Sequence, residues 1–294
     1  MANLREIRKR IKSIKSTAKV TQAMQMVAAT KSKVSQVSAL NAAHYAKMIT
    51  DLISGMHVSS NFGSPFLVNR KPVKNIGLVV IGSSRGFVGP LTNNLTAMVS
   101  KTAIELKQKH EGAQLHGISL HKLGFKILNY AGIKSDYHFA DYIEKPTLSN
   151  LSPISSLISN KFLDASFDQI YLVYSRFINL LNYQATVIKL LPVDTTFLAA
   201  ISEKSKPTLD ETYIFEPNKE AVLNSLLQKY FETQLIFAVL NSNASENAAR
   251  MMSMKNATDN AKSLSDDLTL VYNKQRQAKI TQQIIEISSG VNQL

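Results

Sequence analysis

The feature that most constrains this 294-residue chain is where proline and glycine are missing. No glycine precedes Gly55 and no proline precedes Pro65, and after Pro217 there is no proline and a single glycine, Gly290. Since these two residues are the ones that most often interrupt helices, both ends of the chain can form long, unbroken helices. All eight prolines and nine of the eleven glycines lie in between. The sequence therefore predicts two long terminal helices around a turn-rich middle.

Both ends carry apolar residues at alternating steps of three and four, which is the spacing of a coiled-coil seam. The N-terminal stripe comprises Leu4, Ile7, Ile11, Ile14, Ala18 and Thr21. The C-terminal stripe comprises Met254, Ala257, Ala261, Leu264, Leu268 and Val271, continued by Ile280, Ile284, Ile287 and Val291. A helix of roughly seventy residues would be about 110 Å long and needs a partner along its stripe. We therefore expect the two ends to pair as an antiparallel coiled coil.

The middle of the chain alternates between strand and helix patterns. Strands are predicted at 76–81, 114–119, 169–175, 183–191 and 212–215, helices at 91–107, 122–130 and 151–162, and an exposed loop at 202–210. This βαβ rhythm is typical of a small sheet with helices on both faces. The expected domain organisation is an N-terminal coiled-coil helix at 1–60, a central α/β domain at 61–215, and a C-terminal coiled-coil helix at 216–294.

The net charge of +13 is concentrated at one end of the chain. Residues 1–50 contain ten Lys and Arg side chains and one acid, Glu6, which leaves nine of the thirteen net positive charges in that segment. The last fifty residues are close to balanced. The N-terminal helix is therefore expected to face a negatively charged partner. A basic N-terminus that is poor in acids is also compatible with an organellar transit peptide.

A search for chemistry finds no catalytic constellation. The chain has no cysteine, which excludes disulfides, Cys-based zinc sites and thiol nucleophiles. The turn at 82–89 follows a strand and precedes a helix, but it lacks both the dinucleotide-binding glycine pattern and the Lys-Ser/Thr of a P-loop. It is interpreted as a tight strand-to-helix turn. The six histidines lack metal-ligand spacing, and Asp136, Asp141 and Glu144 are expected in one loop without a nucleophile. No cofactor or metal is expected.

The C-terminal end is unusually apolar, since residues 280–294 carry one charged side chain, Glu286. An apolar end on a long rod implies a socket in a partner. Two classes of function remain open from the residues alone. One is a mechanical or scaffolding element that inserts its rod into an assembly, and the other is a nucleic-acid binder that places its basic helix against phosphates. Tyr45 is the only aromatic residue of the Phe, Tyr or Trp kind in residues 1–50, which disfavours binding to single strands but not to duplexes.

Several motifs resemble the gamma subunit of F-type ATP synthases. At the N-terminus they are Arg5-Glu6-Ile7-Arg8 with Ile11, and the run TQAMQMVAA at 21–29. At the C-terminus they are ASENAARM at 244–251, MKNATDNA at 254–261, YNK at 272–274, and RQA at 276–278 with Ile280 and Thr281. The resemblance covers both ends in the correct order and is weaker in the middle.

The resemblance implies a central-stalk rotor without bond chemistry of its own. In that family the paired terminal helices lie inside a hexamer of alpha and beta subunits. A middle domain that is Rossmann-like in shape contacts the epsilon subunit and the membrane c-ring. Proton flow turns the ring and the rod, which moves the catalytic beta subunits through open and closed states. The implied partners are the alpha, beta and epsilon subunits and the c-ring, with no nucleic acid and with membrane contact only through the complex.

The resemblance also assigns roles to individual residues. Positions that contact the catch region of the beta subunit correspond to Arg250, Arg276, Gln277 and Thr281. Met24 corresponds to a position that faces an acidic loop of beta. Tyr213, Phe215 and Glu216 fall in the segment that meets the c-ring and epsilon.

The chain departs from the family pattern at Ser84, Val88, Gln283 and Ser288-Ser289. The chloroplast cysteine insert is absent, which excludes thiol regulation of that kind. The family motif begins within a few residues of Met1, so the basic N-terminus is expected to be the rod and not a transit peptide. The expected location is the cytoplasmic face of a bacterial inner membrane, as a peripheral protein, ahead of an organellar inner membrane.

Overall fold

The computed structural model describes residues 4–56, 64–140, 146–193 and 215–291. Its helices are α1 (Leu4–Gly55), α2 (Leu91–Lys109), α3 (His121–Tyr130), α4 (Leu148–Leu163) and α5 (Lys219–Val291), with a short 3-10 helix at Pro65–Leu67. Its strands are β1 (Asn75–Ile81), β2 (Gln114–Leu120), β3 (Ser135–Phe139), β4 (Gln169–Phe177) and β5 (Tyr183–Leu191). The prediction of long terminal helices is confirmed by α1 with 52 residues and α5 with 73.

The chain divides into two compact units, and both long helices contribute a segment to each. The two-helix unit comprises Met1–Ala29 and Arg250–Leu294, and the α/β unit comprises Thr30–Ala249. The predicted strand at 212–215, apart from Phe215, and the predicted loop at 202–210 lie outside the described residues.

The sheet of the α/β unit has five strands in the order β3-β2-β1-β4-β5. The first four strands run parallel, and β5 returns antiparallel to β4 across a hairpin. Strand β1 is central and reads NIGLVVI, an almost continuous apolar run that suits a strand buried on both faces. The alternation of strand and helix therefore folds as predicted, into a Rossmann-like sheet covered on both sides.

Successive β1 side chains alternate between the two faces of the sheet. Val79 and Ile81 point to the face covered by α4 and by the parts of α1 and α5 within this unit. Leu78 and Val80 point to the opposite face, which is covered by α2 and α3. On the first face, Ile53 of α1 and Phe231 of α5 belong to the same buried cluster. The α/β unit is thus built around its own two-sided core.

Strand β3 was not predicted from the sequence. Its residues SDYHF alternate between half-buried and exposed positions at one edge of the sheet. The expectation that Asp136 lies in a loop is therefore wrong. Asp136 is on β3, and its carboxylate lies 2.6 Å from Nδ1 of His116 on β2. A short polar edge strand gives too weak an alternation to be distinguished from a loop.

In the two-helix unit, the predicted α1 stripe is confirmed. Ile7 and Ala18 are buried, and Leu4, Ile11, Ile14 and Thr21 are half-buried. The predicted α5 stripe is wrong at Leu264 (50% exposed) and Val271 (45% exposed), and its continuation at Ile280, Ile284 and Ile287 is exposed as well. In this unit the buried positions of α5 are Met254, Thr258 and Ser265, and Ala261, Leu268, Tyr272 and Gln275, which continue their spacing, are half-buried.

The buried stripe of α5 runs through residues 265 and 272, one position after the predicted 264 and 271, and a hydrogen bond explains this difference. The Thr258 hydroxyl donates to the Thr21 hydroxyl at 2.7 Å, which sets these two positions opposite each other. Counting outward in antiparallel register places Ser265 opposite Ile14 and Gln275 opposite Leu4, which reproduces the buried stripe of α5. A parallel register would instead set the buried Ala18 opposite Lys255, which is exposed. The two segments therefore form an antiparallel pair.

Candidate functional site

The end of α5 extends past the described part of α1. In the antiparallel register, Gln275 is the last position with a described α1 residue opposite it. Residues 276–288 are all exposed, including four isoleucines: Ile280 (47%), Ile284 (61%), Ile285 (59%) and Ile287 (68%). We call residues 276–291 the overhang. A group of exposed β-branched apolar side chains of this kind marks an interaction surface.

Three residues expected to contact a partner, Arg276, Gln277 and Thr281, lie on the overhang and are exposed. Gln277 and Thr281 are four residues apart and share a face of the helix, whereas Arg276 is on the same face as Ile280. Polar and apolar groups therefore alternate around the overhang. The structure brings these three residues together at one end of α5.

Arg250 does not join them. It is half-buried on α5, and 26 residues separate it from Arg276, which corresponds to about 39 Å along the helix axis. Met24 on α1 stands opposite residue 255 in the antiparallel register and is 37% exposed. Arg250 and Met24 thus lie near one end of the two-helix unit, and the other three residues lie toward its opposite end.

The remaining expected contact residues precede α5. Phe215 is half-buried against the core of the α/β unit, and the Lys219 ammonium lies 6.0 Å from the centre of its ring. Glu216 is exposed. Tyr213 lies outside the described residues.

The turn after β1 is filled by a side chain of the same molecule. The Glu246 carboxylate of α5 accepts hydrogen bonds from the backbone N–H of Ser84 at 3.0 Å, the Ser84 hydroxyl at 2.6 Å and the backbone N–H of Arg85 at 3.4 Å. Such N–H groups at a strand-to-helix turn are the kind that bind phosphate. Here they donate to the carboxylate of Glu246, a residue that is 2% exposed, in place of a phosphate, which supports the interpretation as a structural turn.

Close backbone packing also requires glycine at the start of this turn. A Cβ on Gly82 would lie 2.1 Å from the backbone nitrogen of Gly124 on α3, so only glycine fits. The carbonyl oxygen of Gly82 lies 3.0 Å from Nδ1 of His121, which is buried beside it. The turn is therefore fixed by backbone contact on one side and by Glu246 on another.

Sequence reasoning did not single out Glu246. The signal was present, since Glu246 is the only charged residue in 233–249, a stretch that is otherwise apolar or neutral. Residues 241–249 are all buried, so α5 is surrounded by protein at this level. A lone acid in such a segment must be paired or strongly hydrogen-bonded.

Other chemistry has little support in the described residues. No three His, Asp or Glu side chains in the ranges given above come together in a way that could hold a metal ion. Within the same ranges, none of the helices contains a stretch long and apolar enough to span a bilayer.

A two-helix unit whose α5 ends in exposed isoleucines, in a chain that also has an α/β unit, is typical of a class of protein that works within a larger assembly. The family model for ATP synthase matches residues 3–294. The chain belongs to this family, and curated relatives that it matches include ATP synthase gamma chains. It is 37% identical over 294 residues to the ATP synthase gamma chain of Roseiflexus castenholzii, covering 99% of this chain and 98% of that one. It is also 37% identical to the gamma chain of Stenotrophomonas maltophilia, with 99% of both chains covered.

Solved structures support the fold. The chain matches a chain in the F1/c-ring assembly of the Euglena gracilis mitochondrial ATP synthase with a TM-score of 0.64, at 14% identity, over 98% of this chain and 93% of that one. It also matches a chain in the central stalk and c-ring structure of the Tetrahymena thermophila mitochondrial ATP synthase, with a TM-score of 0.57 and 24% identity, over 81% and 99% of the two chains. At these identities the likeness concerns the fold alone.

Proposed function

We propose that this chain is the central-stalk rotor of an F-type ATP synthase. In this proposal it couples proton-driven rotation of the c-ring to conformational change in the catalytic beta subunits. The observation that carries the proposal is the overhang, an exposed apolar helix end on a two-helix unit in a chain that belongs to this family. The chain itself performs no bond chemistry, and the nucleotide sites belong to the partner subunits.

The chemistry of the overhang suits a shaft that turns inside a socket. Hydrophobic contacts are non-directional, so isoleucines can slide past an apolar collar without breaking specific bonds. Arg276, Gln277 and Thr281 add directional contacts to the same segment. The Arg276 guanidinium can form charge-assisted hydrogen bonds with carboxylates, which form and break as the shaft advances. These residues, with Arg250, would act as catches on the beta subunits.

The surface charge of α1 indicates that the partner surface is negatively charged. Seven cationic side chains near the start of α1 are exposed, namely Arg5, Arg8, Lys9, Arg10, Lys12, Lys15 and Lys19. The one acid in the same segment is Glu6. A cationic helix surface is complementary to an acidic segment of beta. Met24 is uncharged and partly exposed, so it can pack against such a segment without forming an ion pair, which would permit movement between steps.

In this proposal, the contacts with the c-ring and the epsilon subunit are made by the segment that leads into α5. Tyr213, Phe215 and Glu216 would meet the c-ring and the epsilon subunit. Membrane contact would then occur only through the complex, at the cytoplasmic face of a bacterial inner membrane. Nucleic-acid binding by the basic helix, the alternative that the charge left open, receives no support from the comparisons.

Reconstitution tests this proposal directly. Mg-ATPase activity is measured with purified alpha and beta subunits, with and without this chain, at moderate salt. We expect a stable, active complex with one copy of the chain per hexamer. Failure to associate, together with salt-sensitive binding to duplex DNA, would instead favour the nucleic-acid function.

A further inference from the structure

We propose that four polar side chains of α5, Asn241, Ser242, Ser245 and Glu246, form the clamp that transmits torque between α5 and the sheet of the α/β unit. We call these four residues the polar clamp. This inference rests on the proposed rotor function, because a clamp against rotation matters only if α5 is turned or turns something else.

The first observation is that α5 is polar where it is most deeply buried. All nine residues from 241 to 249 are buried, and six of them are Asn, Ser or Glu. Burying an unpaired polar group is unfavourable, whereas an apolar helix would fill the same space without that cost. The polar side chains therefore need partners, and for the four residues of the polar clamp those partners are backbone groups of β4 and the backbone and hydroxyl groups of the turn after β1.

The second observation is that the polar clamp completes the free edge of β4. Strand β1 pairs with β4 only as far as Val173, so residues 174–177 continue past it. The backbone N–H of Ser175 donates to Ser242 Oγ at 3.4 Å, and the Ser245 hydroxyl donates to the carbonyl oxygen of Ser175 at 3.1 Å. The N–H of Phe177 donates to Asn241 Oδ1 at 3.3 Å. Side chains of α5 thus stand in for a missing neighbouring strand.

The third observation is the carboxylate in the turn after β1. Glu246 accepts three hydrogen bonds there, from the N–H and hydroxyl of Ser84 and from the N–H of Arg85. Positions 242 and 246, like 241 and 245, are four residues apart and share one side of the helix. The same side of α5 is therefore bonded both to a strand edge and to the adjoining turn.

These bonds oppose rotation of α5 about its own axis, in addition to the apolar packing of the helix. A side-chain tip about 6 Å from the helix axis moves about 3 Å when the helix turns by about 30°, which is enough to break a hydrogen bond. All six bonds of the polar clamp would break together, and the buried Glu246 charge would lose its donors. Because α5 continues without interruption from Lys219 to Val291, a torque applied to the overhang acts on this segment as well.

The test compares two activities of the assembled complex in inverted membrane vesicles. ATP hydrolysis and ATP-driven proton pumping are measured for wild type, Glu246→Ala, Glu246→Gln and Ser84→Ala. We expect Glu246→Ala to keep its hydrolysis while pumping per ATP hydrolysed falls by about threefold or more, since three hydrogen bonds to a charged group are lost. Glu246→Gln keeps an acceptor oxygen and should recover part of the ratio. Ser84→Ala loses one bond, so its ratio should lie between that of Glu246→Ala and that of wild type.

Matched controls separate the clamp from general stability. Glu105→Ala removes an acid from the exposed face of α2 and should leave the ratio unchanged. If Glu246→Ala does not assemble, the double variant Asn241→Ala with Ser242→Ala carries the same test with milder changes. Hydrolysis and pumping that fall in parallel, at a constant ratio, would overturn the clamp and leave only a structural role. A wild-type complex whose pumping does not depend on this chain would instead overturn the rotor function itself.

Discussion

His121 occupies the first position of α3 with a φ of 60°, a left-handed conformation that is uncommon for a residue other than glycine. Its ring is buried and hydrogen-bonded to the carbonyl oxygen of Gly82. Burial lowers the pKa of His121 from its ordinary 6.5, against the hydrogen bond to Gly82 and the nearby Glu246 carboxylate, which both raise it. The neutral ring is therefore the form that the folded protein prefers.

This preference predicts a loss of stability in acid. The pKa of His121 is lower in the folded protein than in the unfolded chain, so the unfolded chain binds the proton more readily. The stability that the neutral ring contributes is therefore complete above pH 6.5 and is lost as the pH falls below that value. The slope is about 1.4 kcal/mol per pH unit for one proton. His121→Asn, which tolerates the positive φ, should show a smaller fall in the thermal unfolding midpoint on acidification. The exposed His44→Asn variant should behave like wild type, and an unchanged slope in His121→Asn would contradict this account.

Only some of the residues proposed to have a functional role could be predicted from the sequence. The motifs at 276–278 and 244–251 led to the prediction that Arg276 and Arg250 contact a partner, because those motifs could be compared with a family. Glu246 lies within the second motif, yet its role depends on Ser84, which is 162 residues away in the chain. A contact over that separation leaves no local pattern, so the filled turn could be found only in the structure.

At the scale of elements, the predictable parts were those with strong local patterns. Strand β1 is a continuous apolar run, and α1 follows a strict three-four spacing, so both were predicted close to their observed bounds. Strand β3 was missed because its polar alternation resembles a loop. The stripe on α5 was misplaced at Leu264 and Val271 because the positions that are covered, among them Thr258 and Ser265, are polar and give no apolar pattern. The Thr21–Thr258 hydrogen bond shows which positions face α1.

Engineered cysteines can test this register, since the chain has none of its own. Ile14→Cys combined with Ser265→Cys places two thiols opposite each other in the observed register. We expect this pair to oxidise readily to a disulfide, because bridging requires Cα atoms within about 7 Å. Ile14→Cys with Leu264→Cys is the matched control and should cross-link much more slowly. Electrophoresis under non-reducing conditions measures both, and faster cross-linking of the second pair would support the spacing read from the sequence.

At the scale of the whole molecule, the two kinds of side chain on the overhang have separable roles. Arg276 and Gln277 offer directional contacts, and the isoleucines offer apolar area. If the proposed catch is correct, Arg276→Ala and Gln277→Ala should each lower ATPase turnover and proton coupling while the complex still assembles. A charge-assisted hydrogen bond contributes about 1.5–3 kcal/mol, so a decrease of roughly tenfold or more is expected for Arg276→Ala. Lys279→Ala removes a neighbouring exposed cation and serves as the control. Unchanged turnover in both variants would remove the catch assignment.

Deleting the last ten residues, 285–294, tests the apolar part of the overhang. The deletion removes Ile285 and Ile287 and keeps Ile280, Ile284 and the polar residues 276, 277 and 281. Since a fully buried isoleucine contributes about 1.5–3 kcal/mol, the shortened shaft should be held less firmly in its socket but should still bind through the remaining contacts. We therefore expect co-purification with alpha and beta to persist, while activity is lost earlier on heating. Full-length Ile285→Asn with Ile287→Asn separates loss of apolar contact from loss of length. If the shortened chain fails to assemble and the full-length double variant assembles normally, the end of α5 is needed for its length during assembly, and the apolar socket is not what holds the shaft.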